Sequence, residues 1–427
     1  MSQPKNLKKL TRARMDRTGE SYTTARKAIL TNRPEPVSAQ RAAERQAATS
    51  QGRTPTPAQT PAQDTELPEY PAPGNVRQYD AALWHRVLTQ AGVLHPLTGQ
   101  PLSEALLFGL GGGLGFMLHS FSEADSLSLA LVTRAHPEPF TATLLERCGA
   151  KVRIRTTGNS QAAGANLDAG LDEGRAVVVR VSRAALPWID QQAVDAADTI
   201  DVAVLGELDD ALLIDEGTGE LQLISPADLA TARARHKRDK NFCAWVPSRR
   251  APSPALLATG VLNAIGQASS RMLGTGDLPG LPAHYARNFG VAGLLQFADR
   301  LADTSSEAGW AHLLAAPALR ADAVRQFEQF FTERRFASAD GFRELFADFL
   351  TEAAQLPQLA ALEAHAAAYR ALAERWQAFT TALRASLPNP QESGELEALS
   401  QSLRALAEAE SAASTALEAT ASTLRRG

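Results

Sequence analysis

The sequence predicts an α+β domain followed by an all-helical one, and three observations lead there. Between Val76 and Pro247, helix-length segments come first and β-branched runs gather later, the order of an α+β fold. Beyond Pro247, apolar residues recur almost throughout at helical spacing in an alanine-rich background, which predicts packed helices. Before Val76, residues 33–74 are rich in Pro, Ala, Gln and Thr with few large apolar side chains. Such a stretch cannot offset the entropy of ordering and reads as a disordered tether.

The α+β segment is organised around Pro101 to Phe121, PLSEALLFGLGGGLGFMLHSF. Leu102, Leu106, Leu107, Leu110 and Leu114 keep helical spacing, while five glycines crowd positions 109–115. Each glycine costs a helix roughly 1 kcal/mol against alanine. The run therefore predicts a buried helix breaking into a close-packed turn, capped at its start by Ser103 or Thr98 with Glu104 in the first turn. Upstream, Ala82 to Leu88 mark a helix stopped by Gly92. Downstream come a strand at 127–132, a helix at 140–148, a strand at 151–156 and a helix at 162–172. The buried strand 176–181 (AVVVRV) is followed by a hairpin of 201–205 with 211–215, a strand at 221–224, a helix from Pro226 and a strand at 242–246.

In the helical half, segments near 253–273, 291–302, 307–315, 319–334, 338–355 and 358–386 carry the aromatic core candidates Trp310, Phe327, Phe330, Phe331, Phe342, Phe346, Phe349 and Trp376. After Pro388 a final amphipathic helix bears Leu396, Leu399, Leu403, Leu406 and Leu417. That stripe fits a coiled coil, a homo-oligomer contact or packing onto its own chain. The division is a basic helical arm at 1–32, a linker at 33–75, an α+β domain at 76–247, a helical domain at 248–387 and a terminal helix at 388–427.

Composition narrows the function classes. The net charge of −4 argues against a globally nucleic-acid-binding surface. Lys8, Lys9, Arg12 and Arg14 in the arm are the nucleic-acid candidates, and a solvated helical tail accounts for them too. Two cysteines, Cys148 and Cys243, cannot form a disulfide framework and suit a reducing cytoplasm. No apolar run reaches about 18 residues, and the basic amino terminus lacks an apolar core behind it, so neither a membrane span nor a signal peptide is expected. The eight histidines show no metal-ligand spacing, and no cofactor is implied. Gly111-Gly112-Gly113-Leu114-Gly115 follows a helix and lacks the Lys-Ser/Thr of a phosphate loop, so close packing explains it. The basic run His236 to Lys240 fits a solvated face or an anionic partner, such as a carrier-protein phosphopantetheine or nucleic acid.

Several segments carry a resemblance. His95-Pro96-Leu97-Thr98-Gly99-Gln100-Pro101-Leu102-Ser103-Glu104-Ala105 and Phe108 to Phe116 (FGLGGGLGF) resemble the amino-terminal domain of the butirosin biosynthesis protein H family. His284 to Gly290 (HYARNFG), Trp310, Gly341-Phe342-Arg343 and Phe346 to Leu350 (FADFL) are similar to the helical domain of unknown function that often follows it. The resemblance spans about residues 76–385. It implies a papain-like fold and acyl transfer from a carrier-protein thioester, with a cysteine nucleophile at a helix start, a histidine to activate it and an acid to orient the histidine.

This chain departs from that pattern. Gln78 and Tyr79 stand where the resemblance puts the nucleophile, and no cysteine occurs before Cys148. Asp201 stands in place of the histidine, and Asp215 keeps the acid. A phenol with a pKa near 10 is mostly protonated at neutral pH, and no imidazole faces it. The expectation is a catalytically degenerate member acting as a binding or scaffold protein for an unknown protein or small molecule. Gln78, Ser103, Glu104, Gly112 and His119 are its ligand-cleft candidates. The alternatives are an active acyltransferase or hydrolase relocated to Ser103, Glu104 and His119, and a nucleic-acid-associated protein using its basic arm.

Overall fold

The structure, a computed structural model, describes residues 69–426 except 124–125, 137–139, 190–193, 195–197, 209, 248, 277–282 and 390–392. The basic arm, with Lys8, Lys9, Arg12 and Arg14, and nearly all of the tether lie outside the described residues.

In chain order, helices α1 (Tyr79–Gln90) and α2 (Glu104–Leu110) precede the strands β1 (Leu114–Glu123) and β2 (Ser126–Arg134). Helix α3 (Phe140–Cys148), β3 (Arg153–Arg155), α4 (Ser160–Asp172) and β4 (Val177–Ser182) follow. Next come β5 (Thr199–Leu208), β6 (Ala211–Asp215), β7 (Leu221–Ile224), α5 (Pro226–Ala234) and β8 (Cys243–Trp245). The rest is helical: α6 (Pro254–Leu273), α7 (Gly290–Ala302), α8 (Trp310–Ala315), α9 (Pro317–Glu333), α10 (Arg343–Ala353), α11 (Glu363–Ser386) and α12 (Ser393–Arg426). An α+β region followed by a helical one is what the sequence predicts.

These elements form two compact units that interleave along the chain. Among the described residues, one takes 69–76, Leu83–Leu94 and Lys151–Arg250; the other takes Arg77–Ala82, His95–Ala150 and 251–426. The glycine-rich segment, which the sequence reading groups with the strands at 76–247, thus belongs with the helices.

The first unit is built on an antiparallel sheet of order β3-β8-β4-β5-β6-β7. Val177, Val178 and Val179 are successive, fully buried residues, so both faces of β4 are covered. Burying each valine contributes about 1.5–2 kcal/mol. On one face Val177, Val179, Val202, Val204 and Ile214 pack with Leu167 of α4 and Leu229 of α5. The opposite face carries polar chemistry, because alternation puts Arg180 of β4, Asp201 of β5 and Asp215 of β6 on the same side.

The second unit contains the predicted helix and turn. Ser103 caps α2 by accepting a hydrogen bond from the Leu106 amide at 3.0 Å. After Leu110, Gly112 and Gly113 take φ of 118° and 59°, which turns the chain into β1. The sequence carries no separate signal for β1, because its apolar run continues that of the helix.

Gly109 explains why the run cannot be alanine-rich. A Cβ there would lie 2.2 Å from the Phe349 ring, and that ring is buried beside Phe346, centroid to centroid 5.3 Å. Gly109→Ala is expected to destabilise by at least about 2 kcal/mol through overpacking. Gly164→Ala, in α4 with nothing within 4 Å of the new methyl, should stabilise by up to about 1 kcal/mol. Opposite shifts of the melting temperature check both.

Trp310, Phe327, Phe331, Phe342, Phe346, Phe349 and Trp376 are buried as predicted, with Phe330 at the margin. Leu396, Leu399, Leu403, Leu406 and Leu417 of α12 are also buried. Of the roles left open for that stripe, the structure takes packing onto its own chain.

Candidate functional site

The start of α1, where the resemblance puts the nucleophile, is occupied by a capping and ion-pair cluster of the second unit. Gln78 is fully buried; its side-chain oxygen accepts from the Ala81 amide at 2.7 Å. Its amide nitrogen donates to the Arg335 carbonyl at 2.9 Å and to Asp80 at 3.1 Å. The Arg335 guanidinium lies 4.8 Å from the centre of the Tyr79 ring. Asp80, in the first turn, meets Arg134 at 3.0 Å and Arg335 at 3.8 Å. A carboxylate at the positive helix end stabilises α1, and two guanidiniums neutralise it. Gln78 therefore serves as a cap, and Tyr79 as a platform for a cation.

In the first unit, Asp201 and Asp215 share a sheet face, each with an arginine of its own. Arg180, directly opposite Asp201 in the ladder, donates to its carboxylate at 2.8 and 3.1 Å. Asp215 accepts from Arg86 Nε at 2.6 Å and Nη2 at 2.8 Å, from the Tyr70 hydroxyl at 2.6 Å and from the Gly217 amide at 2.8 Å. Burial opposes the Arg86 charge, yet Asp215 outweighs it and holds the guanidinium more firmly protonated than usual. Burial and the adjacent Asp215 push the Tyr70 phenol well above its ordinary value. This is a closed ion-pair network.

The remaining candidates are also engaged or apart. Ser103 caps α2 and donates to Glu352, and Glu104 accepts from the Arg77 amide at 3.0 Å. His119 is an exposed β1 residue opposite Ala130, its ring 5.8 Å from that of Tyr285. The three do not form a relay through any of these contacts. Both thiols are buried, and burial is the first cause that pushes each up to about 11, far from a thiolate nucleophile at neutral pH. Lys237, Arg238 and Lys240 of the basic run are exposed on a short 3-10 turn. Among the described residues no group of three or more metal-ligating side chains converges, and no helix is long and apolar enough to cross a membrane.

The second unit also holds a cavity of about 530 Å³ that no sequence motif marks as a site. It lies between the end of α6 and the start of α7, and its lining includes the polar Gln267, Ser270, Arg271 and Arg287 and the apolar Leu273 and Phe289. Gly112 is not among the lining residues, though a Cβ there would stand 3.6 Å from Gln267 Oε1 and 3.7 Å from Arg271 Nη1. Arg287 falls in the HYARNFG segment noted above. Arg271 gave no signal because an arginine near a helix end reads as a favourable dipole partner.

The antiparallel sheet with its helices, followed by a helical region, defines a two-part α+β protein. Residues 85–216 match the family model Butirosin biosynthesis protein H, N-terminal, and residues 227–417 match Domain of unknown function (DUF4872). These stretches are that amino-terminal domain and its companion, as the motifs at 95–116, 284–290 and 341–350 indicated. The family is acyltransferase-like. No curated protein matches the chain.

Proposed function

We propose that this chain is a catalytically silent member of its family, cytoplasmic and papain-like in its amino-terminal domain, that works by binding a ligand or partner. The observation that carries the reading is the state of Asp215. The acid that would orient a histidine is bound by Arg86, Tyr70 and Gly217 instead. Support comes also from Asp201 paired with Arg180, from Tyr79 stacked under Arg335, and from two buried thiols with raised pKa. Nucleophilic acyl transfer needs an activated nucleophile within reach of a base, and none of these groups supplies either part. The two buried, unpaired cysteines suit a reducing compartment.

The full chain, incubated with an acyl thioester of N-acetylcysteamine, is expected to release thiol no faster than buffer, with and without an acceptor amine. Thiol release well above that background, abolished by Tyr79→Phe or by alkylation of a cysteine, would overturn the reading.

A further inference from the structure

We infer that the cavity between α6 and α7 is a binding site for a small amphiphilic anion, a carboxylate or phosphate head on a short apolar chain. The inference deepens the binding role proposed above and takes from that reading only that the chain binds something. A volume of about 530 Å³ falls in the range of small-molecule sites. Its lining mixes basic, polar and apolar side chains. Arg271 is buried and Arg287 is exposed; Ser270 and Gln267 share the lining with them, and Gln267 Oε1 accepts from Arg147 Nη2 at 2.7 Å. Leu273 and Phe289 form the apolar counterpart. The described lining includes no carboxylate, so both formal charges on it are positive. A guanidinium matches the geometry of a carboxylate or phosphate through two parallel hydrogen bonds.

Near Gly266 of the wall the carboxylate of Glu418 is paired with Arg425 at 3.0 Å, and around Arg271 and Arg287 the neighbouring charges are positive. Burial, then Arg134 and Arg271, hold His136 down at about 4. Burial, then Arg287, lower Arg300. Helix ends act in both directions. The first turn of α7 adds a positive end at Phe289 and Ala292. The negative end of α6 is blunted because the Ser270 carbonyl accepts from the amides of Gly274, Thr275 and Gly276. The balance favours an anion.

Isothermal titration of the full chain with octanoate, octyl phosphate, octanol and octylamine tests this. At least one anion is expected to bind while octanol and octylamine do not, and the anion that binds identifies the head group. Arg287→Glu, on an exposed residue, should weaken that binding at least about tenfold by turning an attractive charge repulsive. Ala292→Trp, also on an exposed residue of the wall, should abolish it by filling the space. A melting temperature near that of the parent chain keeps both variants interpretable. The inference fails if neither anion binds, if octanol binds as well as the anions, or if both folded variants bind like the parent. Thioester turnover with anion binding intact would remove the silent-enzyme reading alone; absent binding without turnover would remove the cavity assignment alone.

Discussion

Arg343→Met is expected to destabilise the second unit by about 3–5 kcal/mol, the usual cost of leaving one member of a buried ion pair alone. Arg343 and Glu410 are both fully buried, and Arg343 Nε donates to Glu410 Oε1 at 2.6 Å. The same guanidinium donates to the carbonyls of Gly341 at 2.5 Å and Thr133 at 3.1 Å, and lies 5.0 Å from the centre of the Trp376 ring. Trp376 in turn donates to Glu410 Oε1 at 2.7 Å. Methionine replaces the stem but leaves a buried carboxylate uncompensated and two carbonyls unserved. Lysine would do little better, since a point charge cannot serve the carboxylate and both carbonyls in one plane. The double variant Arg343→Met with Glu410→Leu should recover part of the loss, because neither charge then remains. Denaturant midpoints followed by tryptophan fluorescence check this. A single-variant loss below about 1 kcal/mol, or strictly additive losses, would contradict the network.

That network also marks what the sequence could and could not convey. Gly341-Phe342-Arg343 is visible as a motif, but its purpose is not. Phe342 sits at a φ of 61°, a left-handed conformation unusual for a bulky residue, and its amide donates to Ser338 Oγ at 2.7 Å. The bend leads directly into α10, the helix that begins with Arg343. Periodicity reports which face of a helix is apolar; it carries no information about a carboxylate 67 residues away. For the same reason the elements and aromatic core were legible while the fate of each candidate site residue was not. Ser103 was readable as a cap because capping is local. Asp201 was not readable as Arg180's partner, since the register between β4 and β5 is set across the sheet and not by local sequence. Arg271 and Arg287 meet at one cavity only because α6 and α7 fold against each other.

Asp215→Ala is the second large expected effect, again about 3–5 kcal/mol, now in the first unit. The substitution strands Arg86, whose side chain is 4% exposed, and removes the acceptor of Tyr70. Tyr70→Phe should cost less, about 1–2 kcal/mol, because the carboxylate keeps its arginine. Replacing both charges, Arg86→Met with Asp215→Leu, should again recover stability relative to Asp215→Ala. The pattern distinguishes an anchor from a relay. Were Asp215 orienting a catalytic histidine, Asp215→Asn would lower turnover far more than stability, because a wrongly oriented imidazole fails while the fold persists. Here the same substitution should lower the denaturant midpoint and leave thioester release at its buffer level. The double variant should remain folded and equally silent. A folded Asp215→Asn protein that loses a measurable thioester activity would show that the acid still serves chemistry, and the Arg86 pair would then have to open during turnover.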